Sequence, residues 1–141
     1  MVVTQVGGQV GRTGCGVCSV AAFYVRRWDA LKPIASAVVF DALDIRVGRV
    51  LDVQEALSRK PTYRMTIDFG DELGVKRSCG AYRNYVAQDL VGKLVIAVVN
   101  LGTKQMGPEV SEVLVLGVSK PEGGTIYLTT ESDVPNGSVI S

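Results

Sequence analysis

Between residues 63 and 69 the apolar side chains fall at every second position: Tyr63, Met65, Ile67 and Phe69 alternate with Arg64, Thr66 and Asp68. A period of two predicts a strand with one face in a core and the other in water. Upstream, Ile45 and Val47 alternate with Arg46 and Gly48, and the apolar phase then slips to Val50 and Val53. A slip at a glycine predicts a bulge or bend, the device by which a small barrel turns a long first strand. Residues 94–99 and 113–116 are near-continuous apolar runs of strand length, as in strands buried on both sides or closed into a barrel. Gly70-Asp71-Glu72-Leu73-Gly74 predicts a hairpin connection into a strand over 75–78. Residues 125–129 alternate as a final strand after the turn Pro121-Glu122-Gly123-Gly124.

One short helix is predicted between these runs. Asn84 is its candidate cap, Val86 and Leu90 share a face at i, i+4, and Gly92 can end it in the left-handed conformation. Three strands, a helix and then further strands is the order of an oligonucleotide/oligosaccharide-binding (OB) fold, a mainly β, five-stranded Greek-key barrel. The expectation is therefore such a barrel with one short helix and terminal extensions.

Residues 100–112 join the two apolar runs through a polar stretch set on a rigid scaffold. Asn100, Lys104, Gln105, Ser111 and Glu112 offer hydrogen-bond donors and acceptors to an extended or polar ligand, the way scaffolded loops usually carry function. The competing reading for Asn100 and Ser111 is that they satisfy backbone groups at strand ends. Lys76 and Arg77, next to Ser78, and Arg83, Arg46 and Arg49 are further cations that can line a barrel groove. Tyr82 and Tyr85 stand beside them either as a stacking surface or, the reading preferred here, as packing between helix and barrel.

Six stretches in order carry a family resemblance: Leu43-Asp44-Ile45-Arg46-Val47-Gly48-Arg49-Val50, Ile67-Asp68-Phe69-Gly70, Gly74-Val75-Lys76-Arg77-Ser78, Tyr85 with Asp89-Leu90-Val91-Gly92-Lys93, the run NLGTKQMGPEVSEVLVLG from Asn100, and Pro135-Asn136-Gly137. Together they resemble CsaA-type proteins of the tRNA-binding-domain superfamily, which includes the C-terminal domain of bacterial methionyl-tRNA synthetases. The resemblance spans residues 40–141 and implies the same OB fold, a symmetric homodimer, and an export-related, ATP-independent chaperone role. The implied partners are unfolded preproteins and the export motor ATPase, with tRNA binding as the alternative. In the tRNA-binding branch the matching loop resembles Asn-Leu-Lys-Pro-Arg-Lys-Met-Arg-Gly ending at a Ser. This chain keeps Asn100, Leu101, Met106 and Ser111 but has Gly102, Gln105 and Gly107 at positions that tend to be basic, leaving Lys104 as the loop's cation. The stretch Cys79-Gly80-Ala81-Tyr82 also departs from the CsaA-type pattern of small polar residues.

Charge sharpens the choice between the two ligands. The 141 residues carry 15 Lys and Arg against 14 Asp and Glu. Residues 40–141 hold 11 of those cations against 13 acids, a net of −2. Nucleic-acid affinity comes largely from cations neutralising phosphates, and this segment has no basic excess. Histidine is absent, which removes Ser-His and Cys-His nucleophile pairs and the commonest transition-metal ligand. With no complete metal set, and no phosphate-cradling glycine motif followed by a lysine, no enzyme, cofactor or metal is expected. Three cysteines at unequal spacing fit a reducing cytoplasm better than a disulfide framework, and Cys79 reads as a small buried hydrophobe. A hydrophobic content of 47% is more than a small barrel buries, which marks an oligomer interface or an apolar groove. No window is long and apolar enough for a membrane-crossing helix.

Residues 1–39 read differently. They hold five of the 16 glycines, the pair Cys15 and Cys18, and Trp28. The cysteine pair is incomplete as a zinc site, lacks the strand-helix context of a redox motif, and has no basic stretch before it to make a signal peptide. Residues 19–31 have roughly helical spacing and stop before Pro33. The preferred expectation is a disordered or artefactual extension over 1–39 and an OB domain over 40–141.

Overall fold

The computed structural model describes residues 31–141. Ser36–Ser141 form one compact unit; residues 31–35 are exposed coil. The cysteine pair and all but the last residue of the helix expected over 19–31 lie outside the described residues.

A short helix, α1 (Ala37–Asp41), opens the unit, its first turn capped by Ser36 Oγ, which accepts from Val38 N at 3.2 Å. Five residues are too few to leave a helical period, so α1 has no signal in the sequence. None of α1 is buried, and Val38, Val39 and Phe40 stand in solvent.

β1 (Ile45–Glu55) is the long first strand. Its first half pairs with β4 (Leu94–Val98), from Ile45 opposite Val98 to Arg49 opposite Leu94, and its second half with β2 (Tyr63–Asp68), from Arg49 opposite Asp68 to Glu55 opposite Tyr63. The bulge that the phase slip predicts lies between Val50 and Asp52, not at Gly48. Gly48 instead provides space. A Cβ there would come within 2.6 Å of both Ile67 Cγ2 and Phe69 Cε1, so the glycine lets two core side chains lie against the bent strand.

β2 pairs in turn with β3 (Val75–Gly80) through the predicted hairpin connection, whose Gly70 and Gly74 both have positive φ. β7 (Leu114–Val115) adds to β4, giving the antiparallel order β3-β2-β1-β4-β7. The strand expected from the run 113–116 breaks after Val115. Leu116 N donates to Ile96 O and Leu116 O accepts from Leu128 N, and the chain continues as β8 (Gly117–Ser119), which pairs with β9 (Thr125–Tyr127).

Side chains and one backbone bond close the barrel between β3 and the segment leading into β7. Glu112 N donates to Arg77 O at 2.8 Å, Ser78 Oγ to Val113 O at 3.1 Å, and Tyr82 Oη to Val115 O at 3.2 Å. Burial pushes the Tyr82 hydroxyl up to about 12, so it stays a neutral donor. Tyr82 is thus core, as preferred from sequence, and Tyr85 packs against Tyr127 with ring centroids 5.2 Å apart.

The helix α2 (Ala87–Leu90) crosses between β3 and β4 with Leu90 buried, and Gly92 follows it at φ 87°. Its cap is not Asn84. Val86 holds the cap position without a side-chain bond, while Asn84 donates to Thr125 O and accepts from Thr125 N, tying the α2 approach to β9. At the other end of the chain, Gly137 N donates to Val47 O, Ser138 O accepts from Val47 N, and Ile140 N donates to Ile45 O, covering the edge of β1 that β2 leaves open.

Candidate functional site

OB barrels bind ligands on the outer face of their second and third strands and on the loops joining strands one to two and four to five. In this chain those are β2, β3, residues 56–62 and residues 99–113. Directly opposed residues of an antiparallel pair share a face. The outer face therefore carries Arg64 opposite Cys79, Thr66 opposite Arg77, and Asp68 opposite Val75, with Gln54 and Asp52 of β1 beside Arg64 and Thr66.

The polar stretch after β4 is not an open loop. It folds into a two-stranded hairpin, β5 (Lys104–Met106) and β6 (Glu109–Ser111), turned at Gly107, whose φ is 67°. Lys104 lies opposite Ser111 and Met106 opposite Glu109, so these four share one hairpin face while Gln105 and Val110 share the other. On the barrel side, Ser111 Oγ donates to Val113 O at 2.9 Å and accepts from Cys79 N at 3.2 Å.

Glu109 is the most buried charged group of this region, at 5% exposure. It accepts from Leu57 N at 3.1 Å and from Arg64 Nη1 at 3.2 and 3.3 Å, and Arg64 Nη2 also donates to Gln54 Oε1. The Leu57 N–H, then Arg64, hold the Glu109 carboxyl below its ordinary range against the opposing pull of desolvation. One carboxylate thus joins the 56–62 loop, β2 and the hairpin. A depressed carboxyl contributes stability above its unfolded pKa, and the contribution is lost as pH falls through the lower folded value. The Leu57 amide resonance is expected to keep its neutral-pH position to below the ordinary carboxylate midpoint of about 4.3. A transition at or above that midpoint would contradict the latch.

The sequence-predicted residues divide sharply. Arg77 and Glu112 meet on the outer face: Glu112 Oε2 accepts from Arg77 N at 3.0 Å and lies 3.7 Å from Arg77 Nε. Ser78 and Ser111 are buried in the barrel seam. Asn100 ties the start of the unit to the end of β4, donating to Ala42 O and accepting from Asp44 N at 2.8 Å. For Asn100 and Ser111 the backbone-satisfying reading describes the contacts, and Ser78 likewise bonds a backbone carbonyl. Lys76 lies opposite Ile67, on the reverse side of β3 from Arg77, so adjacent numbers do not make one patch. Lys104 and Gln105 are exposed on the hairpin. Cys79 is half-buried rather than enclosed, and burial raises its thiol pKa, leaving a weak nucleophile.

The other arginines named from sequence are also engaged. Arg46 pairs with Asp44 at 2.6 Å, Arg49 with Asp133 at 2.6 Å, and Arg83 with Glu55 at 3.5 Å while lying over the Tyr63 ring. Arg59 and Lys60, overlooked from sequence, make no ion pair among the described residues. Ser58 Oγ donates to Lys60 O and lies 2.7 Å from Thr62 Oγ1, which shapes the loop around them. Residues 58–60, Thr62, Met106 and Gly107 line a shallow cleft of about 350 Å³ between the loop and the hairpin tip. The signal was present as a basic pair between Ser58 and Pro61 in a strand-to-strand connection. Glu109 left none, because one acidic residue after a turn reads as solvated.

Fold and face together define an OB-type barrel whose outer β2–β3 surface and rim form the candidate site. Residues 45–139 match the family described as a putative tRNA binding domain, and the chain belongs to that family. It is 30% identical over 116 residues to the methionine-tRNA ligase of Clostridium acetobutylicum, a match covering 82% of this chain and 18% of the ligase. The chain thus spans under a fifth of the length of that relative. Among solved structures, the chaperone CsaA from Bacillus anthracis is 38% identical with a TM-score of 0.74, and the CsaA chaperone protein from Picrophilus torridus is 37% identical with a TM-score of 0.72. Each match covers 77% of this chain and 100% of the other.

Proposed function

We propose that this domain is a CsaA-like, ATP-independent chaperone that holds extended segments of unfolded polypeptide, with export precursors as its clients. The observation that carries this reading is the neutralisation of the binding face: Arg64 and Arg77 are both taken up by carboxylates of the protein itself, Glu109 and Glu112. Affinity for a phosphate backbone rises with the number of cations available to it, and this face offers few. Apolar side chains are available instead, with Leu57 74% and Leu101 54% exposed at the rim. An unfolded chain brings apolar side chains to such ledges and backbone amides to the hairpin. Micromolar holding requires only about 8 kcal/mol. Pairing into a two-fold dimer, for which the unburied Val38, Val39 and Phe40 of α1 give apolar surface, would set two such faces on one client and gain through effective concentration.

tRNA binding is the second reading. The free Arg59, Lys60 and Lys104 around the rim favour it, as does the family's description. Lys104→Ala separates the two. For a polypeptide holder the variant should change affinity for a denatured preprotein less than about twofold, because an exposed charge contributes little beside apolar burial. For an RNA binder it should reduce the salt slope by about 0.9 and weaken tRNA binding strongly. A strong loss of polypeptide binding in Lys104→Ala would count against the proposal.

A further inference from the structure

The two carboxylates that cover the outer face come from one short stretch of chain. Glu109 and Glu112 lie three positions apart on and beside β6, and each engages a different arginine of the two neighbouring strands. Arg64 and Arg77 are diagonal neighbours on one face, because Arg64 lies opposite Cys79, two positions beyond Arg77. Each carboxylate also accepts a backbone N–H, Glu109 from Leu57 and Glu112 from Arg77. A guanidinium together with a backbone amide is the donor set by which proteins hold phosphate oxygens.

We propose that Glu109 and Glu112 are the specificity determinants of this face: built-in phosphate surrogates that occupy an anion site formed by Arg64 and Arg77 and so exclude nucleic-acid backbone. The inference rests on the polypeptide reading above and supplies its mechanism of discrimination. A phosphate arriving at Arg64 has to displace a carboxylate that is already desolvated, bonded twice to the guanidinium and once to a main-chain amide. A client polypeptide faces no such barrier, since it asks for apolar contact and backbone hydrogen bonds rather than for the arginines. Clients carrying dense negative charge are disfavoured by the same carboxylates. The excluded partner is thus defined by chemistry: any ligand whose affinity depends on closely spaced phosphates.

The test is tRNA titration across a salt series with the whole chain, comparing wild type, E112Q and the double variant E109Q/E112Q. Glutamine keeps an acceptor for each backbone N–H while removing the charge. Freeing two cations should steepen the slope of log K against log salt by about 1.4 to 1.8, so the affinity lost between 50 and 200 mM salt grows about tenfold over wild type. Adding Arg77→Gln to E112Q should cancel that variant's gain. If the double variant does not fold, the half-exposed E112Q decides alone, with a steepening of about 0.7 to 0.9. A folded E112Q or double variant with the wild-type slope overturns the masking. Wild-type polypeptide binding, measured in parallel, is untouched by that outcome. Steep tRNA binding by the wild type would instead overturn the polypeptide reading.

Discussion

Gly137→Ala is expected to destabilise the domain by about 3 kcal/mol or more, lowering its melting temperature by on the order of 10–20 °C. Gly137 has φ 90°, a backbone conformation that a side chain strains, and a Cβ there would lie 2.3 Å from Phe69 O. That oxygen belongs to the backbone, so no rotamer change can make room. The opposing surface is equally close: a Cβ on Gly70, φ 87°, would lie 2.7 Å from Asn136 O. Two glycines back to back let the C-terminal turn dock on the β2–β3 connection, where Asp68 bonds both Gly70 N and Asn136 Nδ2. Displacing the turn breaks the bonds of Gly137, Ser138 and Ile140 to β1 and bares a strand edge. Chemical denaturation reads the loss, and amide exchange at Val47, which donates to Ser138 O, locates it. An unchanged midpoint in Gly137→Ala would mean that the tail is not part of the fold.

Phe69→Ala should be comparably severe, about 3–5 kcal/mol, because the ring is 1% exposed and lies over Gly48 in the first half of β1. The same contact predicts a coupled pair. Gly48→Ala alone overpacks the contact with Ile67 and Phe69 and should cost about 1–3 kcal/mol. In a Phe69→Leu background, which removes the ring atoms nearest the new methyl, the cost of Gly48→Ala should shrink, and a double-mutant cycle measures the difference. Additive effects would show that the two residues do not share that space.

These positions also mark where sequence was sufficient. Tyr63, Met65, Ile67 and Phe69 repeat with period two and are buried. The uncharged runs became β4 and β7, and the order of elements gave the barrel. Gly48 stands out in the sequence as a phase slip, yet its role is contact with Ile67 and Phe69, which come close only after β1 pairs with β2. The hairpin of Lys104–Met106 and Glu109–Ser111 left no trace because its strands are three residues long and mostly polar, so alternation has nothing to register. Asn100 reaches partners 56 and 58 positions away, and Glu109 binds Leu57 52 positions away. Such bonds depend on tertiary closure and not on local pattern. Of the residues named from sequence, Ser78 and Ser111 accordingly serve the seam. Glu109, the acid that accepts from Leu57 N and Arg64, has no local signature.

The proposed function turns on what the outer face of the barrel accepts. The most direct measurement is equilibrium binding of the wild-type chain to a denatured preprotein and to tRNA, side by side, from 50 to 200 mM salt. A neutralised face should give polypeptide binding near micromolar that changes little over that range, and tRNA binding that is weaker and shallow in slope. Sub-micromolar tRNA binding with a steep salt dependence, and none to the polypeptide, would show that the face is a phosphate grip after all.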